Sequence, residues 1–385
     1  MAMSLEQLFE SIGYVTLKMT PGCNLKCSYC NVEALTPKTP KMEMGQYRRI
    51  ADLLIDNSKA HFIGLEFHGG EPLLLPDDWY EEAITYARTK AKARNKVIEF
   101  PLVTNGTMLS EKRLDRLNGL GIRFCLSCDG PPAINDELRG AGERVERALR
   151  LLREKRVPKG VITVLSPSNW HRMGEVMTWF GEIGVNDFTI NFMQPQGRGM
   201  ESTLLSGKQM FEAMRDIFEH MYENDLAVTE AETLLRVTRF AAGRENPAPL
   251  HCSEFGCQAG KTYVAVDHHG VLHACGTDLA NHPIGHVDKP FDEAHYNDTL
   301  ARLHDKGSWV VRCFDCNAKQ ICNHSCPTSD YNSDDFKEYD CESTKLLWEY
   351  FCKNATRVNE LADRYMSRRM QLRRRQIEVE EQVPA

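Results

Sequence analysis

Between Tyr14 and about Asn224 the chain alternates two hydrophobic rhythms. Short runs rich in β-branched, aromatic and apolar residues cover Tyr14–Met19, His61–His68, Val97–Val103, Arg123–Ser127, Gly160–Leu165 and Asp187–Met193. Their length and composition are those of strands. Between them lie stretches with helical spacing of apolar positions: Gly45–Asn57, Asp78–Lys92, Glu111–Leu117, Glu143–Lys155, Trp170–Ile183 and then Gly207–Asn224. Six strand-then-helix units in series predict a parallel sheet with helices packed outside it. They are too few for a closed eight-stranded barrel. Glu201–Asn246 reads as helix and linker, closed by Gly243 and the breaker Pro247-Ala-Pro249. The expected division is a strand–helix body over 1–224, a helical linker over 225–249, a cysteine-rich domain over 250–350, and a C-terminal helix and tail over 351–385.

Composition narrows the function class. A net charge of -7 over 385 residues argues against a general nucleic-acid binder. No apolar run reaches the roughly eighteen residues of a membrane helix. The N-terminal MAMSLEQLFESIGY lacks the basic-then-apolar pattern of a signal peptide. The expected setting is cytoplasmic, without membrane or nucleic-acid partners. Fourteen cysteines are many for such a chain. Disulfides are rare in the cytosol, so metal binding is the better reading.

The cysteine stretch that follows the first strand carries the chemistry. Thr20-Pro-Gly-Cys23-Asn-Leu-Lys-Cys27-Ser-Tyr-Cys30 sets three cysteines at C-x3-C-x2-C on one Pro/Gly-led loop. Three thiolates can hold three irons of a four-iron cluster, leaving the fourth iron open to a small molecule. Zinc, the competing reading, prefers C-x2-C pairs and four closed ligands.

This loop, with Tyr29 as its aromatic residue, resembles the signature of the radical S-adenosylmethionine (SAM) enzymes. The resemblance implies an α/β fold with an open, partial (β/α)6 barrel of TIM type. It implies a four-iron cluster on Cys23, Cys27 and Cys30, with SAM bound at the open iron and cleaved to a 5'-deoxyadenosyl radical. Gly69, Gly70 and Glu71 at the second strand end match the motif that contacts the SAM amino group. Thr104-Asn-Gly-Thr107 is also common in the family, though Asn-Gly is a frequent turn. By the same resemblance Ser127 and Arg139 touch the SAM ribose and carboxylate, and an arginine can pair bidentately with a carboxylate. Met193 is a candidate for adenine packing, with a core methionine as the alternative.

From His251 the cysteines run Cys252-x4-Cys257-x12-Gly270-x4-Cys275, then Cys313-x2-Cys316-x5-Cys322-x3-Cys326, then Cys341. This order is similar to the SPASM extension of radical SAM maturases. It implies two auxiliary four-iron clusters, one on Cys252, Cys257, Cys275 and Cys326 and one on Cys313, Cys316, Cys322 and Cys341. With three [4Fe-4S] clusters assigned, Cys125, Cys128 and Cys352 remain, each in an apolar strand or helix setting. Both auxiliary clusters would be closed, which fits electron relay.

The resemblance makes the chain a radical SAM oxidoreductase that matures a ribosomally made peptide, with a side-chain crosslink as the expected product and a flavodoxin or ferredoxin as reductant. A polyol or aminoglycoside dehydrogenase, a sulfatase (formylglycine) maturase and a non-catalytic electron carrier are the alternatives. Only about a dozen residues precede the first strand, so a leader-binding partner would be separate, the leader would dock elsewhere, or the substrate would be small. In sulfatase maturases an Asp directly follows the third SPASM-region cysteine and takes the substrate proton. Here Gly276 stands there, which counts against formylglycine chemistry. Asp278 is the nearest candidate base, displaced by roughly 6–7 Å along an extended chain, with a turn cap as its other reading. The terminal helical stretch Glu342–Arg375 is expected to end in an arginine-rich segment, Arg368 to Arg375. That segment is either a solvated helix end or a dock for an acidic peptide.

Overall fold

The computed structural model describes residues 3–31, 35–201, 203–242, 257–277, 279–305, 313–322, 325–328 and 333–381, the side chains of 334 and 372–381 excepted. Helix α1 (Leu5–Ser11) leads into β1 (Tyr14–Lys18), and α2 (Met44–Asn57) follows the cysteine loop. Then come β2 (Phe62–His68), α3 (Asp77–Ala93), β3 (Val97–Thr104), α4 (Glu111–Gly119), β4 (Ile122–Ser127), α5 (Pro132–Leu138), α6 (Gly142–Glu154), β5 (Lys159–Leu165), α7 (Met173–Glu182) and β6 (Asp187–Phe192). The strand expectations hold to within a residue or two. The expected helix from Trp170 begins instead with a 3-10 turn, Trp170–Arg172. Helix α8 (Gly207–Glu223) opens with a reciprocal cap between Ser206 and Gln209. The short strand β7 (Thr229–Glu230) and helix α9 (Ala231–Ala242) occupy the expected linker.

Strands β1 to β6 pair in parallel in chain order. Among the described residues the sheet does not close. Its ten-stranded order also takes in β8 (Tyr263–Asp267), β9 (Val271–His273) and β10 (Pro283–His286), and runs β10-β9-β8-β1-β2-β3-β4-β5-β6-β7. Strand β8 pairs with β1 in parallel, Tyr14 beside Tyr263 and Lys18 beside Asp267. The cysteine-rich part thus continues the sheet of the first part. Helix α10 (Glu293–His304) follows, and the C-terminal stretch forms two helices, α11 (Asp334–Lys353) and α12 (Ala355–Glu381), parted at Asn354.

Strand alternation sorts the side chains by face. Val15, Leu17, Leu65, Phe67, Phe100, Leu102 and Leu126 are fully buried. Phe67 packs against Tyr47, Trp79 and Tyr80 of α2 and α3 and stacks on Phe100. The opposite face carries Thr16, Lys18, Glu66, His68, Glu99, Cys125 and Ser127, several of them half-buried. A closed barrel fills this space with branched apolar side chains; here it is polar. Cys125 is half-buried on it, whereas Cys128 is a core thiol at 1% exposure. Cys352 is exposed, so an apolar setting describes it only through its helix neighbours.

Candidate active site

The cysteine loop is held by backbone hydrogen bonds to the glycines after β2. Gly70 N–H donates to the Thr20 carbonyl at 2.8 Å, and Glu71 N–H to the Gly22 carbonyl at 2.7 Å. A Cβ on Gly70 would lie 2.1 Å from the Gly22 oxygen. Only glycine allows the two backbones to approach this closely. Glu71 is wholly buried and accepts from Leu73 N–H, the Thr104 hydroxyl and Asn105 N–H. Burial raises its pKa and these bonds oppose the rise. The carboxylate therefore fastens the end of β3 to the end of β2. Asn105 in turn donates to Asn24 at 2.9 Å and reaches the Cys23 thiol at 3.9 Å. The Thr104–Thr107 turn, only supporting in the sequence, is part of the loop's scaffold. Glu71→Gln puts an NH2 where an acceptor is needed. The expected cost is about 1–3 kcal/mol, measured by urea unfolding of wild type and variant at equal iron content.

Cys23, Cys27 and Cys30 are half-buried and act on one another electrostatically. Burial pushes the Cys23 thiol up to about 11. Iron binding would have to displace its proton.

Tyr29, from the same loop, donates its hydroxyl to Asp129, which is wholly buried. Arg139 Nε donates to the same carboxylate oxygen at 2.9 Å, and its guanidinium lies 5.1 Å from the Tyr29 ring centre. Val164 N–H donates to the other oxygen at 2.8 Å. Arg139, expected at the SAM carboxylate, is thus already paired within the protein through Nε. Ser127 is half-buried at the end of β4, and Met193 is 4% exposed just beyond β6.

Sequence reasoning passed over Arg198. Its Nε donates to the Cys27 carbonyl at 2.9 Å, and its backbone N–H to the Cys30 carbonyl at 3.0 Å. Its Nη2 is buried with no hydrogen-bond partner among the described residues. Gly197 sits at φ +54 against the Cys30 oxygen, where a Cβ would stand 2.4 Å away. The signal was present in Gly197-Arg-Gly199 after the sixth strand.

In the C-terminal part Cys257, Cys275 and Cys326 act on one another, and burial pushes the Cys257 thiol up to about 12. Cys252 and Asp278 lie outside the described residues. Cys313, Cys316, Cys322 and Cys341 line one recess together with Lys345. Among the described residues no group of three or more His, Cys, Asp or Glu side chains is arranged to hold a single metal ion. The three thiols on a loop cradled by glycine, and the unpartnered guanidinium nitrogen beside that loop, fit a thiolate-held cluster with a small anionic ligand.

Residues 17–180 match the model of the radical SAM superfamily. The AdoMet-dependent heme synthase of Methanosarcina barkeri is 28% identical over 327 residues, 80% of this chain and 89% of that one. A cysteine-type anaerobic sulfatase-maturating enzyme of Clostridium perfringens is 23% identical over 359 residues, 86% and 93% of the two chains. Among solved structures, native anSMEcpe with bound AdoMet and Cp18Cys peptide superposes with TM-score 0.76 at 20% identity, covering 91% of this chain and 99% of that one. Streptococcus suis SuiB bound to precursor peptide SuiA gives 0.62 at 14%, covering 82% and 72%. Residues 17–180 thus carry a radical SAM domain. The cysteine-rich C-terminal part is consistent with the SPASM-type architecture of the maturases to which the chain is similar.

Proposed function

We propose that this radical SAM enzyme oxidatively modifies a ribosomally made peptide, with a side-chain crosslink as product. The observation that carries the reading is the three-thiol loop bound through its backbone to Gly70 and Glu71 at the mouth of a polar sheet face. Bound there, a four-iron cluster and SAM supply a 5'-deoxyadenosyl radical that removes a substrate hydrogen atom. Cys23, Cys27 and Cys30 hold that cluster. The Gly69–Gly70 backbone meets the SAM amino group, Ser127 the ribose, Arg139 the carboxylate and Met193 the adenine. Arg139 has guanidinium nitrogens beyond the Nε given to Asp129, so both pairings fit one side chain. Cys252, Cys257, Cys275 and Cys326 hold one auxiliary cluster, and Cys313, Cys316, Cys322 and Cys341 the other. The shared recess of the last four supports that grouping. Asp278 is the proposed proton acceptor, and a flavodoxin or ferredoxin the reductant. The cytoplasm is the proposed compartment; among the described residues no helix is long and apolar enough to cross a membrane.

The peptide class is supported by two structural neighbours, one bound to the Cp18Cys peptide and one to the precursor SuiA. Formylglycine formation is the second reading, favoured by the near-complete coverage of anSMEcpe. The test is anaerobic incubation of iron-loaded enzyme with SAM, reductant and either a sulfatase-derived peptide or a short precursor encoded beside this gene. Loss of two hydrogens from the precursor, with 5'-deoxyadenosine formed, is the expected result. Formylglycine on the sulfatase peptide alone would select the second reading. No 5'-deoxyadenosine under any condition would make the chain an electron carrier.

A further inference from the structure

The polar sheet face holds a buried cation that the chemistry above does not use. Lys18, the last residue of β1, is 5% exposed. Its neighbour in register is His68 of β2, and Lys18 Nζ lies 3.3 Å from His68 Nδ1. Gly69 N–H also donates to His68 Nδ1, at 2.6 Å. Nδ1 is therefore an acceptor and the ring proton sits on Nε2, which makes His68 a neutral donor. An ammonium has three hydrogens to donate, and among the described residues the bond to His68 is the one present for Lys18. Glu66 acts on it through space, but that carboxylate is bound by the Thr16 hydroxyl at 2.5 Å. No carboxylate is ion-paired with Lys18 among the described residues.

The space around Lys18 is set by the C-terminal part. A Cβ on Gly276 would stand 3.1 Å from Lys18 Cε and 2.9 Å from the Tyr263 hydroxyl. Gly276 N–H donates to that hydroxyl at 3.3 Å. The thiols of Cys30 and Cys275 both act on the ammonium. Lys18 ends the strand that runs into the Cys23–Cys30 loop and stands against the residue after Cys275, so it lies between the first cysteine loop and the C-terminal cysteines. A buried ammonium with no ion-paired carboxylate among the described residues is costly. A neutral carbonyl would leave the charge uncompensated, whereas a carboxylate would pair with it.

We propose that Lys18, assisted by His68, is a substrate clamp that takes a carboxylate of the peptide, either an acidic side chain or the chain terminus. This rests on the peptide reading above. The probes are two pairs of fluorescently labelled hexapeptide mixtures. One pair has Glu against Gln at a fixed central position with an amidated end. The other has a free against an amidated C-terminus and no acidic side chain. Binding is followed by anisotropy with iron-loaded protein and SAM under anaerobic conditions. Wild type is expected to bind the acid member of one pair roughly ten- to a hundred-fold tighter, as for a charge-assisted hydrogen bond. The pair that responds identifies the source of the carboxylate. Lys18→Met should abolish the preference at unchanged iron content, and Lys18→Arg should keep it. Should Lys18→Met lose iron or fold, Lys18→Gln, which keeps a donor without the charge, carries the same test. Equal binding of acid and neutral members to wild type, or a preference that survives loss of the charge, overturns the clamp alone. A shifted reduction potential with an unchanged preference would make Lys18 a counter-charge to the clusters and would overturn it too. If neither member of either pair binds wild type, the peptide reading falls and the clamp with it.

Discussion

Joint replacement of Cys23, Cys27 and Cys30 by Ala is expected to remove about four of about twelve irons per chain, the content of one of three four-iron clusters. SAM cleavage should vanish while the other irons stay. The reason is spatial. The three thiols sit on one loop after β1, fixed to the Gly69–Glu71 segment, whereas the other groupings, Cys257 with Cys275 and Cys326 and the recess of Cys313, Cys316, Cys322 and Cys341, are built by other elements. Loss of one set should not unbuild the others. Iron and sulfide assays with electron paramagnetic resonance on reconstituted protein check this. A wild-type content near eight would leave one auxiliary site without a cluster. Loss of all iron in the triple variant would show that the sites depend on one another.

Asp129→Ala is expected to destabilise the fold by about 3–5 kcal/mol, the cost of leaving one partner of a buried ion pair alone. Asp129 is fully buried and joins three elements: Tyr29 of the cysteine loop, Arg139 at the end of α5, and Val164 of β5. Its removal strands Arg139, whose side chain is 9% exposed. The variant should also bind SAM more weakly, because Arg139 and the loop lose the anchor that orients them. Arg139→Lys separates the two roles. Lysine keeps the charge beside Asp129 but loses the planar fork, so stability should largely return while SAM affinity stays low. Urea unfolding and SAM equilibrium dialysis at matched iron content measure both. Unchanged stability in Asp129→Ala would mean that water replaces the pair. Unchanged SAM affinity in Arg139→Lys would remove Arg139 from the SAM site.

Much of this protein is written locally. The order of strands and helices follows from two periodicities, and both are properties of short windows. The Cys23–Cys30 spacing and the Gly69-Gly70-Glu71 turn are likewise local, because one loop supplies the ligands and one turn supplies close backbone approach. Tertiary structure decided what depends on which distant residues meet. Arg139 reads in sequence as a free cation for SAM, but the fold sets it against Asp129 and the Tyr29 ring. Arg198 lies far along the chain from Cys27 and touches it only because the β6 end packs on the cysteine loop. The linker after α8 did not announce a strand, since two residues pairing with β6 have no period to show. Nor did the cysteine-rich part announce that β8 would lie beside β1. That pairing brings Gly276 against Lys18. Spacing within one loop names the ligands of a cluster, but the partner of a buried charge is fixed by the register of strands remote in sequence. Register is a property of the assembled sheet.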